Sequence, residues 1–477
     1  MNAPLRRVAI SVLVLFTLLI VNVNYIQVVR SDELRTDPSN TRQLAAEYDR
    51  QRGSIVVAGN EIALSKRTAD RLKYLRQYPG AGVYAPVTGY YSLTYGKTGL
   101  EKAENDLLAG SDPRLVFRRI ADLFTGRDPA GGNVELTLDP KVQQAAMDGL
   151  KNVTGAVVAL DPSTGAVLGL ASTPTFDPNQ LSSHDPAAIR AYRKQLSDDQ
   201  TTNQAISQRY SPGSVFKVIV SAAALSSGSY TPDTAIPAPN LLTLPGTTTT
   251  MQNYNGESCN GGADQKLIDA LTISCNTAFA ELGIKLGQQR IRDMAKAFGI
   301  DDQRFEMPLP VAASTLGNIG NDAELGVSSI GQQDVQLTPM QAAMIAAAVA
   351  NKGSLMKPYL VSQATAPDLT VIDKTNPEKL GQPVSAQVAD QLTQMMTSVV
   401  NNGTGKKARI DGIQVAGKTG TAETTGDDNS WFIGFAPADH PKIAVAVFVR
   451  HGGRTGGDIS APIAKAVIQA HLQGQGG

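Results

Sequence analysis

The chain has 477 residues, which at about 150 residues per domain allows two or three domains and a well-buried core. Its 43 lysines and arginines balance its 43 aspartates and glutamates, so no net field draws the molecule to nucleic acid, and none is expected as a partner. Hydrophobic residues at 42% and charged residues at 18% exclude a disordered or coiled-coil chain, and two cysteines with 4 scattered histidines argue against zinc chemistry. No metal or other cofactor is expected.

The first thirty residues carry the clearest physical signal. Arg6 and Arg7 precede an uncharged stretch from Val8 to Val29 that closes at Arg30, Asp32 and Glu33. About 20 residues of helix cross a bilayer core, so residues 1–30 are expected to form a cytoplasmic tip and a single transmembrane anchor. Basic residues at the N-terminal flank place that end in the cytoplasm and the remainder outside. The rival, a cleaved signal peptide, lacks an Ala-x-Ala type site after the apolar run.

Residues 31–150 alternate charged helical stretches with short extended ones and are expected to form a small extended juxtamembrane domain. Leu100–Leu108 reads as a helix with Glu101 and Glu104 on its polar side, Val134–Leu138 as a strand, and Asp139-Pro140 as the opening of a helix through Leu150. Gly155–Ser172 reads as a β-hairpin turning at Asp161–Gly165. Residues 151–477 read as one large α/β unit. Its helices are expected at Val215–Ser226, Lys266–Leu286, Pro339–Asn351, Ala386–Asn401 and Ala461–Gln473, its strands at Trp431–Ala436 and Ile443–Val449.

Three short motifs follow in order. Ser214-Val215-Phe216-Lys217 comes after Ser211-Pro212-Gly213 and opens an apolar helix. Residues three apart share a helix face, so Lys217 can reach the Ser214 hydroxyl. A lysine whose pKa is lowered by burial or a second cation can deprotonate that hydroxyl. Ser274-Cys275-Asn276 lies in the expected helix Lys266–Leu286 and offers a hydroxyl for proton relay and an amide to hold Lys217 and a carbonyl. Lys418-Thr419-Gly420-Thr421 precedes a strand and, on an exposed strand, would bind a carboxylate, with Gly420 letting a substrate backbone approach. Each motif alone is weak, and the bland reading of a helix cap with a surface lysine suffices for the first. In this order they form the SxxK, SxN and KTG set of penicillin-binding proteins and serine β-lactamases.

The resemblance extends beyond the motifs. Arg52-Gly53-Ser54-Ile55, Gly99-Leu100-Glu101 with Leu108-Ala109-Gly110, the hairpin segment Asp161–Asp177, Thr338-Pro339-Met340-Gln341 and Gly403-Thr404-Gly405 all look like class B penicillin-binding proteins. The short membrane-proximal region most resembles the PbpA type of high-GC Gram-positive bacteria. The resemblance implies a penicilloyl-serine transferase fold, an α/β (α+β) domain whose antiparallel sheet is sandwiched by helices, over residues 151–477. It also implies a D,D-transpeptidase that cross-links peptidoglycan stem peptides in growth or division and is inhibited covalently by β-lactams.

In that reading Ser214 attacks the D-Ala-D-Ala donor, Lys217 is the base and Ser274 relays a proton. Asn276 positions the acyl group, and Lys418 with Thr419, Gly420 and Thr421 holds the terminal carboxylate. A second stem's amine is the acceptor, and cell-division or elongation proteins are the implied protein partners.

Two competing functions are open to test. Gly412–Thr419 also fits the P-loop pattern GxxxxGK[ST], which requires a helix directly after it to hold phosphates. A membrane-anchored β-lactam sensor would need more cytoplasmic chain than precedes the anchor. Finally, Cys259 and Cys275 are the only cysteines, and outside the cell a disulfide between them would persist and brace the SxN turn. Two buried thiols acting as small apolar side chains are the alternative.

Overall fold

The computed structural model describes residues 2–30, 47–116, 124, 130–302 and 307–474. The start of the expected juxtamembrane domain, residues 31–46, lies outside the described residues. Helix α1, Asn2–Asn24, runs on through a π turn at Tyr25–Val29. Its segment Pro4–Val29 has a mean hydropathy of 2.2 and none of it is buried by the rest of the chain. It is long and apolar enough to cross a membrane.

The main strands and helices that frame the molecule follow in chain order. Strands β1 (Ile55–Val57), β2 (Asn60–Arg67), β3 (Tyr74–Gln77) and β4 (Asn133–Leu136) precede helix α2 (Pro140–Gly149). The Asp139 carboxylate caps α2 by accepting from the N–H groups of Lys141 and Val142. The hairpin β5 (Thr154–Leu160) and β6 (Val167–Thr173) is followed by helices α3 (Lys217–Ser226), α4 (Leu267–Thr272), α5 (Asn276–Leu286) and α6 (Pro339–Ala350). Strands β7 (Val361–Thr365) and β8 (Val371–Lys374) come next, then helix α7 (Ala386–Asn401). Strands β9 (Ala416–Ala422), β10 (Asn429–Ala436) and β11 (Ile443–Arg450) and helix α8 (Ser460–Gly474) complete the chain.

The central sheet is antiparallel, in the order β9-β10-β11-β5-β6. Its strands are apolar almost throughout because both faces are covered, and the alternation sorts the side chains into two cores. Val157, Ala159, Val445, Val447 and Val449 pack with α2 and α8, where Val142, Ala146, Ala464 and Val467 lie. Ala156, Val158, Leu160, Ala444, Ala446 and Phe448 face the other core, with α3 and the wholly buried α6.

A second sheet, β8-β7-β4-β1-β2-β3, forms the pedestal. Its strands come from both sides of residue 150: β7 and β8 pair antiparallel beside β4, while α2 packs on the central sheet. The expected helix at 100–108 is broken at Glu104 into Gly99–Ala103 and Asn105–Leu108. Its Glu101 is not on a polar face. It is buried, with Arg52 Nε on one carboxylate oxygen and Arg76 Nε on the other, each at 2.6 Å. Burial alone would raise the Glu101 pKa, but the guanidiniums of Arg76 and Arg52 outweigh it and hold the group below its ordinary range.

Candidate active site

The site lies where β9, at the edge of the central sheet, meets the N-terminal turn of α3 and the junction between α4 and α5. Ser214 sits in a 3₁₀ turn, Gly213–Phe216, that leads directly into α3. This turn is pressed against β9. A Cβ on Gly213 (φ +52) would fall 2.3 Å from the Thr421 carbonyl oxygen, and one on Gly420 would fall 2.6 Å from that of Pro212. Only glycine at both places lets Ser214 approach the KTG strand so closely. Trp431 Nε1 donates to the Ser211 carbonyl at 3.0 Å, and the Gly213 N–H to that of Gly331 at 2.9 Å, fixing the approach to the serine.

The expected single helix Lys266–Leu286 is two helices. The chain breaks at Ser274, whose φ of +64 places a non-glycine residue in the left-handed region at a cost of about 1–2 kcal/mol. That break makes the SxN turn: it points the Ser274 hydroxyl and the Asn276 amide at α3 and β9. Lys217 Nζ donates to the Ser274 carbonyl (2.7 Å), the Ser274 hydroxyl (3.3 Å) and Asn276 Oδ1 (2.7 Å). Lys418 Nζ donates to the same hydroxyl at 2.8 Å and to the Thr419 carbonyl at 2.9 Å. Ser274 Oγ therefore bridges both lysines.

Both lysines are completely buried, and among the described residues neither meets a carboxylate. Lys418 was expected on an exposed strand; β9 is an edge strand, but the lysine stem turns inward. Burial pulls the Lys418 pKa down to about 7. Burial first, and then the neighbouring Lys418, pushes Lys217 well below its ordinary value. By contrast Ser214, Ser274, Asn276 and Thr421 are partly open to solvent. Bases inside and reactive edges outside suit nucleophilic attack on a bound carbonyl.

Among the described residues no hydrogen bond links Lys217 to Ser214 Oγ; its donors are spent on the SxN turn. Thr404, in the Gly403–Gly405 turn, lies with its Oγ1 2.6 Å from that of Thr419, and the Gly456 N–H donates to Thr421 Oγ1 at 3.4 Å. Neither Thr404 nor Gly456 was singled out as a site residue; Gly-Thr-Gly looks like any turn until the fold sets it on the KTG strand. Cys259 and Cys275 are joined by a disulfide, with Cα atoms 6.1 Å apart. Another Lys-Thr-Gly triplet in the chain, Lys97-Thr98-Gly99, lies outside this cluster, where Lys97 pairs with Glu47 at 2.8 Å. The P-loop reading fails: the Gly417–Thr419 segment continues as β9, followed by a turn and then β10, so no helix N-terminus is there to hold phosphates.

The penicillin binding protein transpeptidase domain matches residues 155–469. The chain belongs to this family. The penicillin binding protein A dimerisation domain matches residues 52–134. Peptidoglycan D,D-transpeptidase PbpA of Mycolicibacterium smegmatis is 49% identical, covering 99% of this chain and 99% of its own length. The protein of the same name in Mycobacterium tuberculosis is 47% identical over 100% of both. The ceftriaxone acyl-enzyme complex of penicillin-binding protein A from M. tuberculosis superposes with a TM-score of 0.88 at 47% identity, covering 90% of this chain and 100% of that one.

Proposed function

We propose that Ser214 is the acylated nucleophile of this peptidoglycan D,D-transpeptidase, that Lys217 is its base and that Ser274 is the proton relay. Cross-linking through an acyl-serine intermediate, with covalent inhibition by β-lactams, is the activity of the family. One observation carries the assignment: Lys217, Ser274, Asn276 and Lys418, from three separate stretches of chain, converge in one hydrogen-bonded cluster beside Ser214.

Ser214 Oγ attacks the carbonyl of the penultimate D-Ala of a stem peptide, giving its proton to the neutral amine of Lys217 one helical turn away. The proton passes through Ser274 Oγ, within hydrogen-bond reach of both lysines, to the departing amine of the terminal D-Ala. Asn276 holds Lys217 through Oδ1 and keeps its amide nitrogen for the acyl group. Lys418 provides positive potential for the terminal carboxylate, which Thr419 and Thr421 bind from β9. As an edge strand, β9 presents backbone groups that β10 does not pair. The N–H groups of Ser214 and Thr421 form the oxyanion hole, each donor being worth about 3–4 kcal/mol. The amine of a second stem then resolves the ester and closes the cross-link.

The anchor places the catalytic unit outside the cell. Two features support this: a pair of arginines, Arg6 and Arg7, directly precedes the apolar run where Arg30 alone directly follows it, and a disulfide lies in the catalytic domain. Cell-division or elongation proteins would meet the pedestal there. The test is labelling with fluorescent penicillin, with cross-linked product assayed in parallel. Wild type should label and cross-link, and Ser214→Ala should do neither; equal labelling of the variant would refute the assignment of Ser214.

A further inference from the structure

We infer that Asn253, which belongs to none of the three motifs, is a positioning residue that fixes the SxN turn and through it the base. The inference rests on the reading of Ser214 and Lys217 given above. Helix α5 restarts immediately after the left-handed Ser274, so its first N–H groups have no intrahelical acceptors. The residue at the capping position is Cys275, whose side chain makes no cap hydrogen bond. Asn276, the first helical residue, has its own side-chain oxygen committed to Lys217. The missing acceptor comes from Asn253: its Oδ1 takes the N–H of Asn276 at 2.8 Å and that of Thr277 at 3.1 Å. It also lies 3.5 Å from Cys275 Sγ and from Thr277 Oγ1. One side-chain oxygen thus holds the backbone of the very residue whose amide holds Lys217.

Asn253 is itself tightly placed. It is 5% exposed and follows the strand Thr250–Gln252, and the disulfide from Cys259 ties the same stretch of chain to Cys275. Its Nδ2 is buried and, among the described residues, has no hydrogen-bond partner. A buried unpaired donor costs about 1–3 kcal/mol, so the side chain's contribution is its oxygen, not its nitrogen. That asymmetry separates positioning from simple packing. Aspartate keeps the acceptor and suits a helix N-terminus, but adds a negative charge beside the turn. Lys217 faces the Phe279 ring of α5 at 5.6 Å and, across Ser274, the ammonium of Lys418. A carboxylate at 253 opposes the field of Lys418 and favours the charged form of Lys217.

The experiment is the second-order rate of acylation of the full chain by fluorescent penicillin, measured from pH 5 to 10 for wild type, Asn253→Ala, Asn253→Asp and Ser214→Ala. Asn253→Ala should lose on the order of 10- to 100-fold at every pH, the scale expected when a catalytic group is misplaced by about an ångström. Asn253→Asp should recover to within a few-fold of wild type at high pH, with the rising limb of its profile moved to higher pH. Asn253→Ala within two-fold of wild type would overturn the inference, as would Asn253→Asp as slow as Asn253→Ala with an unmoved limb. If Asn253→Ala does not fold, the position of the Asn253→Asp limb decides alone. Persistent labelling of Ser214→Ala would instead sink the assignment of the nucleophile, a separate failure.

Discussion

Replacing Lys418 by glutamine should move the pH dependence of acylation, not merely lower its rate. Contacts of 3.3 Å and 2.8 Å to the same Ser274 oxygen put the two lysine nitrogens within about 6 Å of each other. At an effective dielectric constant of about 20, two like charges at that distance repel by about 3 kcal/mol, or about 2 pK units. Lys418 lies near 7, so it is charged over the acid range in which Lys217, depressed by burial and by Lys418 itself, loses its proton. Removing the Lys418 charge leaves only burial to depress Lys217. Its pKa rises, less of the base is neutral at a given pH, and the rising limb moves up by as much as about 2 units.

Glutamine can still donate to Ser274, so the relay keeps a partner. The assay is stopped-flow acylation of the full chain in detergent by fluorescent penicillin, wild type against Lys418→Gln, from pH 5 to 10. On the acid limb the variant should be slower by roughly 10- to 100-fold, narrowing towards wild type as the pH passes 9. A uniform loss with the limb in place would mean that Lys418 acts only on the substrate carboxylate. A limb displaced to lower pH would refute the coupling outright.

Reducing the Cys259–Cys275 disulfide opens a loop of 16 residues, a loss on the order of 3 kcal/mol in the chain-entropy model. The urea midpoint should fall on reduction, with slower acylation because the SxN turn loses one of its two tethers; an unchanged midpoint would count against any bracing role. Glu101→Gln leaves Arg52 and Arg76 buried beside a neutral amide and should destabilise the chain by about 3–5 kcal/mol. Thermal melts should show the loss, while the fraction still folded should acylate at the wild-type rate; loss of acylation in a folded variant would show the pedestal cluster acting on the site.

What the sequence made legible was local. The hairpin β5–β6, the capped helix α2, and α6 and α7 all form where alternation, capping residues and apolar runs place them. The three motifs stand out because residue identity at fixed spacing survives without a fold. Encounters between distant stretches were not legible. Nothing in Val361–Lys374 says that it will pair beside β4, because strand partners are chosen by a core shared between segments far apart in sequence. Asn253 gave no signal either: an asparagine in a polar stretch reads as a turn, and its task exists only once a helix N-terminus arrives beside it. The break at Ser274 was missed because the apolar flanks Leu267–Leu271 and Ala278–Leu286 read as one helix, although Thr272 to Thr277 between them are all weak helix formers.

Glu101 and Lys418 were expected at the surface for one common reason, and the two clusters they join show how structure and chemistry part company. Sequence reasoning assigns charge to the surface, since burying an ion costs several kcal/mol. In the pedestal that cost is offset by pairing: one carboxylate takes two guanidiniums, which hold it in its charged form, and the result is a cross-brace between the segment before β1, strand β3 and the helix of Glu101. In the active site it is not offset. Two lysines share one hydroxyl with no carboxylate in reach among the described residues, so the ammonium forms are what the site disfavours. Such a pair stabilises nothing near neutral pH; in the proposed mechanism its effect is to keep an amine unprotonated where a hydroxyl must be activated. Buried charge that finds its counter-charge builds the scaffold, and on the mechanism proposed above buried charge that is denied one makes Lys217 a base.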